Sequence, residues 1–244
     1  MTCTHPAPAP TREASPSSRR HLPAALAVTV SAALVVSRFG AADPTTWVLE
    51  TAWVMAGLPL AILLRRRFPL SGLLCGLLAA HALVLIVGGH YTYAEVPVGD
   101  WVRDWLGWDR NPYDRFGHFM QGFVPAVLVR ELLVRTSPLR GSRWLAPLTV
   151  CACLAFSAVF EMLEWLAAVT GGDAADAFLG TQGDVWDTQW DMFCALIGAT
   201  CALLFLTRAH DRALARLTLA RLDRARPTTL GAPTQPGGPP PHCP

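Results

Sequence analysis

Six apolar runs set the limits on what this chain can become: about Leu22 to Val36, Trp47 to Leu64, Phe68 to Gly88, Phe116 to Val134, Trp144 to Val169 and Thr188 to Leu206. A helix crossing a bilayer needs roughly 20 apolar residues, within a range of about 17–25, and the first run is a little short of it. The runs are apolar all round, whereas a helix of a soluble bundle keeps a polar face at the 3.6-residue period. With 52% hydrophobic and only 16% charged residues, the chain is also poor in charge for a soluble domain of its size. The expected fold class is all-α: a polytopic six-helix transmembrane bundle over 22–207, flanked by tails at 1–21 and 208–244.

Orientation follows from arginine, since the chain has no lysine. With the amino terminus inside, Arg12, Arg19, Arg20, Arg65, Arg66, Arg67, Arg130, Arg135, Arg140, Arg143, Arg208, Arg212, Arg216, Arg221, Arg224 and Arg226 fall on the cytoplasmic side. Only Arg38, Arg103, Arg110 and Arg115 remain outside, so the split is 16 against 4. Positive residues accumulate in cytoplasmic loops, which places both termini in the cytoplasm. Arg19 and Arg20, the short first run and the ending Phe39-Gly40-Ala41-Ala42 also fit a cleaved secretory signal. Cleavage would leave the remaining topology unchanged.

Residues 1–21 are rich in Pro, Ala, Ser and Thr, and Pro227–Pro244 is a Pro/Gly stretch; neither can bury enough apolar surface to order itself. Between the last run and that stretch, Arg alternates with Leu and Ala at helical spacing. Two readings stay open for it: a helix lying on the anionic inner leaflet, where each Arg adds about 1 kcal/mol, or a solvated extension of the last span. The seven cysteines form no Cys-x-x-Cys pair and read as apolar filler.

Polar side chains inside the runs gather near the outer end. Glu50, His81, His118, Glu161, Glu164 and Asp191 all fall there, and a charge at mid-membrane costs about 2.5–3.5 kcal/mol on insertion scales, so their convergence marks a candidate site. Asp114, His118 and Gln121 share one helical face at i, i+4, i+7, and Asp184, Asp187 and Asp191 share another. Glu161 and Glu164, one turn apart, repel each other; one must be protonated, paired with Arg115 or bound to a cation. Plainer roles stand beside these: Asp114, Asp184 and Asp187 as helix caps worth about 0.5–2 kcal/mol each, and His118 as a hydrogen-bonded core residue. In the preceding external loop, Trp101, Trp105 and Trp108 at i, i+4, i+7 read as an amphipathic interfacial segment or an aromatic belt.

The motifs Asp114-Arg115-x-Gly117-His118-x-x-x-Gly122, Glu161-x-x-Glu164 and Gly183-Asp184-x-x-Asp187-Thr188-Gln189-x-Asp191-Met192 resemble those of the YjdF-like bacterial inner-membrane proteins, a family of unknown function. That resemblance covers most of 45–207. A looser one, carried by Asp114-Arg115-x-x-His118-Phe119, Glu161 and Asp187/Asp191, is to the VanZ-like membrane proteins, linked to glycopeptide tolerance; the Gly/Asp-rich loop before the sixth run departs from it. The resemblance implies fold and location and adds no reaction.

Three functional readings follow. In the first, His118, Glu161, Glu164 and Asp187 hold a divalent cation (zinc, manganese or iron) that activates water against a lipid-linked or cell-envelope ester. Asp114, Arg115, His118, Gln121, Asp184 and Asp191 are then the candidate catalytic residues, with Asp191 or Glu50 as general base and Arg115 steadying an anionic head group. In the second, the cluster binds membrane lipid or couples transport to protons, although no mid-span Gly/Pro pair breaks a helix. In the third, it fixes helix packing at about 0.6 kcal/mol per contact in an accessory protein. Gly-x-Ser-x-Gly, His-Glu-x-x-His and Pro-Ser-Gly-His are absent from the sequence. The arginines follow topology and form no separate basic domain, which argues against nucleic acid as a partner. Nothing in the sequence sets an oligomeric state.

Overall fold

The computed structural model describes residues 16–171 and 181–225. Among them it is all-helical, with α1 (Pro16–Ser37), α2 (Pro44–Leu64), α3 (Gly72–Tyr91), a 3-10 turn at Tyr93–Glu95, α4 (Pro97–Leu106), α5 (Tyr113–Thr136), α6 (Leu145–Gly171) and α7 (Asp187–Ala225). Among the described residues four helices, α2, α3, α6 and α7, are long and apolar enough to cross a membrane, and the apolar stretch of α1, His21–Ser37, is shorter. The six-span count expected from the sequence is not reached on length and composition. The shortfall at α5 is physical: Asp114, Arg115, His118, Gln121, Arg130, Glu131 and Arg135 all lie on its 24 residues. Of the tails expected at 1–21 and 208–244, residues 1–15 and 226–244 lie outside the described residues, as does the Gly/Asp-rich stretch 172–180, whereas 16–21 begin α1 and 208–225 continue α7.

Local chemistry explains where the elements begin and end. Asp43 caps α2 by accepting from the Thr46 N–H at 2.6 Å, with Pro44 in the first turn, where its missing donor costs nothing. That backbone hydrogen bond holds the Asp43 carboxyl below its ordinary value, so the cap is intact at neutral pH and weakens as pH falls through the lowered value. Ser71 caps α3 in the same way, accepting from the Leu74 N–H at 3.3 Å, and moves that helix's start past Phe68. Gly107, at φ 67°, closes α4 in the left-handed conformation. Trp108 therefore leaves the helix that carries Trp101 and Trp105, which shortens the expected amphipathic segment, and all three rings are exposed.

The Arg-rich segment after the last span forms no separate helix on the leaflet. It continues α7, whose 39 residues extend about 58 Å against a hydrocarbon core of about 30 Å.

Helices α5 and α7 form the main pairing of the bundle; α3 and α6 pack beside α5, and α1 and α2 pack on α3. They run parallel, since Gly122 meets Ala195 near one end and Arg130 meets His210 near the other. The approach is backbone to backbone. A Cβ on Gly122 would stand 1.8 Å from the Ala195 carbonyl oxygen, and one on Gly198 would stand 2.0 Å from that of Phe119. Behind this crossing lies a fully packed layer of Leu74, Ala126, Val127, Cys153, Ala199 and Ala202. A second cluster, Val30, Val54, Ala79 and Ile86, joins α1 and α2 to α3.

Gly198→Ala should therefore destabilise the purified protein by at least about 1–3 kcal/mol, because helix backbones cannot step aside as a side chain can. Gly57→Ala, where an added Cβ meets nothing within 4 Å, should be neutral. Thermal unfolding in detergent measures both; equal midpoints would refute the backbone contact.

Candidate functional site

The Tyr113 end of α5, the outer end in the expectation from arginine, is organised by one buried amide. Asn111 is fully buried; its Nδ2 donates to the Val96 carbonyl and to Asp100 Oδ1, both at 3.0 Å, and its Oδ1 accepts from the Tyr113 N–H at 3.0 Å. Its main chain exchanges two hydrogen bonds with Gln182, at 2.8 and 3.0 Å. One residue thus ties α4, the start of α5 and the segment leading into α7. Gly99 lacks a side chain for the same reason, since a Cβ there would lie 1.8 Å from Asn111 Oδ1. Beside this clasp the Tyr93 ring is held against Gly88 of α3 and Gly117 of α5, and meets Tyr113 edge-on at 5.6 Å.

Next to Asn111, Arg110 is the hub of an ion-pair network. It binds Asp187, and lies 3.5 Å from both Asp114 and Asp184. Burial alone would lower its pKa, but the hydrogen bond and charge of Asp187, with Asp114 and Asp191 behind, raise it. Arg115 pairs with Asp184 at 2.5 Å and lies over the Trp190 ring at 5.3 Å. Arg110, Arg115, Asp184 and Trp190, with Trp108 and Phe116, border an open cavity of about 730 Å³.

Deeper in, His118 sits among carboxylates. Its Nε2 is 3.6 Å from Asp114 Oδ1; its Nδ1 is 3.6 Å from Glu161 Oε1 and 3.1 Å from Gln121 Oε1. Two ligand-competent groups share this ring, His118 with Glu161 and Glu164, and His118 with Asp114 and Asp191, each with its donor atoms within 4.8 Å of one another. Glu50, Asp114, Glu161, Glu164 and Asp191 are all buried. Glu161 Oε1 and Asp191 Oδ1 are buried with no hydrogen-bond partner. Several acids around one imidazole form an arrangement that asks for protons or a cation, because a lone ionised carboxylate away from water is too costly.

Several expectations change in place or partner. Asp187 does not join the His118, Glu161 and Glu164 group; Arg110 holds it instead. Arg115 is taken by Asp184, so it does not neutralise Glu161 or Glu164. Of the three expected caps, only Asp184 accepts from a nearby backbone N–H, that of Trp186 at 2.9 Å, while Asp114 and Asp187 face Arg110. His81 stands at the middle of α3 with Nε2 buried and unpartnered, not at its outer end. Sequence reasoning missed Asn111, although Asn-Pro before a helix is a turn signal, and missed Gln182, which carries none.

It also missed a second polar cluster, at the opposite end of α5, the inner end in that expectation. Glu131 Oε1 accepts from Arg135 at 2.7 Å and from the Ser71 N–H at 3.0 Å, and its Oε2 faces His210 Nε2 at 3.1 Å. Arg130 donates to His210 Nδ1 at 2.9 Å and to Asp211 at 2.7 Å. An arginine can only donate, so His210 Nδ1 is the acceptor and its Nε2–H goes to Glu131. Along the sequence the arginines of this cluster carry only a topology signal.

Several membrane-spanning helices, with polar groups gathered in the protein interior at each end, define a polytopic membrane protein. The family described as "Predicted membrane protein (DUF2238)" matches residues 22–212, and the chain belongs to it. It is 50% identical over 193 residues, 79% of this chain and 92% of the relative, to the Inner membrane protein YjdF of Escherichia coli (strain K12). No solved structure is a significant match.

Arg110→Met should cost about 3–5 kcal/mol, since it strands buried carboxylates. Adding Asp187→Asn should return part of the loss, with a coupling of about 1 kcal/mol or more. Unfolding midpoints of the two single variants and the double variant test this; strict additivity would show that the pair is not energetically linked.

Proposed function

We propose that this protein is a six-span inner-membrane protein with both termini cytoplasmic, its transmembrane domain at 22–207 flanked by cytoplasmic tails. In this reading α1 is retained as a span, which its packing against α3 through Val30 supports, and α5 crosses with its polar residues turned inward. Its outward site binds a divalent cation through His118, Glu161 and Glu164 and hydrolyses an ester of a lipid or lipid-linked envelope precursor.

The observation that carries this reading is the pair of buried, unpartnered oxygens, Glu161 Oε1 and Asp191 Oδ1, of residues that each share a ligand-competent group with His118. His118 Nδ1 lies 3.6 Å from Glu161 Oε1 and its Nε2 faces Asp114; once the Gln121 amide turns its oxygen away from Nδ1, that nitrogen would be free to hold a metal while Asp114 orients the ring, as a carboxylate orients a metal-bound histidine. Mixed imidazole and carboxylate ligands suit zinc, manganese or iron. Asp191 takes the proton of the attacking water as its oxygen bonds to the ester's phosphorus or carbonyl carbon; the ester bond breaks, and the leaving oxygen receives that proton. Arg115, on Trp190 at the cavity rim, steadies the anionic head group. The layer of Leu74, Ala126, Val127, Cys153, Ala199 and Ala202 seals the cluster from the inner end, which favours chemistry at one face over passage through the bundle.

A second reading, lipid binding without turnover, rests on the Arg115–Trp190 rim of the cavity alone. Elemental analysis of the detergent-purified protein separates the two. The hydrolase reading expects one zinc, manganese or iron per chain, lost in folded His118→Ala and Glu164→Gln variants and kept in Asp187→Asn. Acidification should release the metal, because its ligands bind deprotonated. A protein that neither carries nor reloads stoichiometric metal would overturn the hydrolase reading.

A further inference from the structure

The parallel course of α5 and α7 creates a second hollow at the opposite end of the molecule. There the last turn of α5, the loop after it and the extension of α7 enclose about 50 Å³, lined by Arg135, Arg140, Arg221, Leu214, Leu217 and Thr218. A single water needs about 10–15 Å³ of such space, so the hollow admits a larger group. We propose that it binds the phosphate of an anionic phospholipid of the cytoplasmic leaflet.

Charge is the first argument. The ion pairs at this end join Arg130 to Asp211, Arg135 to Glu131 and His210 to Glu131. Arg140 and Arg221 have no acid partner among the described residues, yet both face the same small space as Arg135. Arg135 is held in place by Glu131, by the Pro69 carbonyl at 2.8 Å and by the Phe68 ring 3.5 Å beneath it. A rigid guanidinium beside two unpaired ones suits a phosphate, whose oxygens accept their charge-assisted hydrogen bonds.

Depth is the second. Arg135 lies 22 residues after Tyr113, about 33 Å along α5, which matches the roughly 30 Å hydrocarbon core and sets the hollow at headgroup level. Apolar surface is the third. Leu214 and Leu217 line the hollow, and Leu219 and Leu222 on the same extension are 61% and 60% exposed, where acyl chains can cover them. Arginine-rich pockets between helices on the cytoplasmic side recognise lipid headgroups in this manner.

The test uses the full chain in a neutral detergent. Phosphatidylglycerol should raise the thermal midpoint and phosphatidylcholine should not; an Arg140→Gln/Arg221→Gln double variant, altered only at exposed side chains, should keep the lipid-free midpoint and bind phosphatidylglycerol about thirtyfold more weakly. Arg65→Gln/Arg67→Gln, which removes as much cationic charge from the same side without altering a residue that lines the hollow, should keep wild-type affinity. Native mass spectrometry should count one phosphatidylglycerol retained by the wild type and none by the double variant. Equal binding by the double variant, equal stabilisation by phosphatidylcholine, or full stabilisation by inorganic phosphate would each overturn the proposal, the last by pointing to a free anion.

Discussion

The contact on which the rest depends is the backbone approach of α5 and α7 at Gly122 and Gly198. In lipid, apolar side chains gain little by leaving the solvent for one another, so helices associate through close van der Waals contact, and small residues allow it. Because the two helices are parallel, this one crossing sets both ends of the molecule. It brings Asp114 and His118 beside Asp187 and Asp191 at the outer end, and Arg130 and Glu131 beside His210 and Asp211 at the inner end.

Those two polar clusters meet the cost of burial in opposite ways. At the inner end donors and acceptors match: Glu131 receives Arg135, Ser71 and His210, and His210 receives Arg130, so the group is a fastener. At the outer end carboxylate oxygens outnumber the donors that reach them. Arg110 and Arg115 satisfy Asp184 and Asp187, while Glu161 Oε1 and Asp191 Oδ1 go without. Some 20 Å of α5 separate His118 from Glu131, filled by a close-packed apolar layer. A fully matched network stabilises a bundle, whereas buried carboxylate oxygens without donors call for protons or a counter-charge.

The segment between α3 and α5 makes the unmatched cluster possible. Asn111 pins α4 and Gln182 over the top of α5, and Gly99, Gly88 and Gly117 give way to the Asn111 and Tyr93 side chains. The roof leaves its opening on the side of Arg115 and Trp190. The exposed indoles of Trp101 and Trp105 suit the membrane interface, where ring and N–H each find their preferred surroundings.

Much of this was legible along the chain, because helix-forming apolar runs, arginine topology and i, i+3, i+4 spacing are local properties. They located α2, α3, α5 and α6 to within a few residues, started α1 at Leu22 instead of Pro16 and stopped α7 at Leu206 instead of Ala225, put Asp114, His118 and Gln121 on one face and marked Glu161 and Glu164 as a pair. Spacing on one helix says nothing about a neighbour's rotation or register. Only the α5–α7 crossing decided that Asp191 and not Asp187 stands by His118, that Arg110 and not Arg115 is the hub of the acids, and that Arg130 and Glu131 meet His210 across 79 or more positions of sequence. The sequence by itself determined which residues lie inside a membrane-spanning bundle and at which end; the tertiary structure decided which of them touch, since partnership across helices is set by packing of surfaces that no single segment contains.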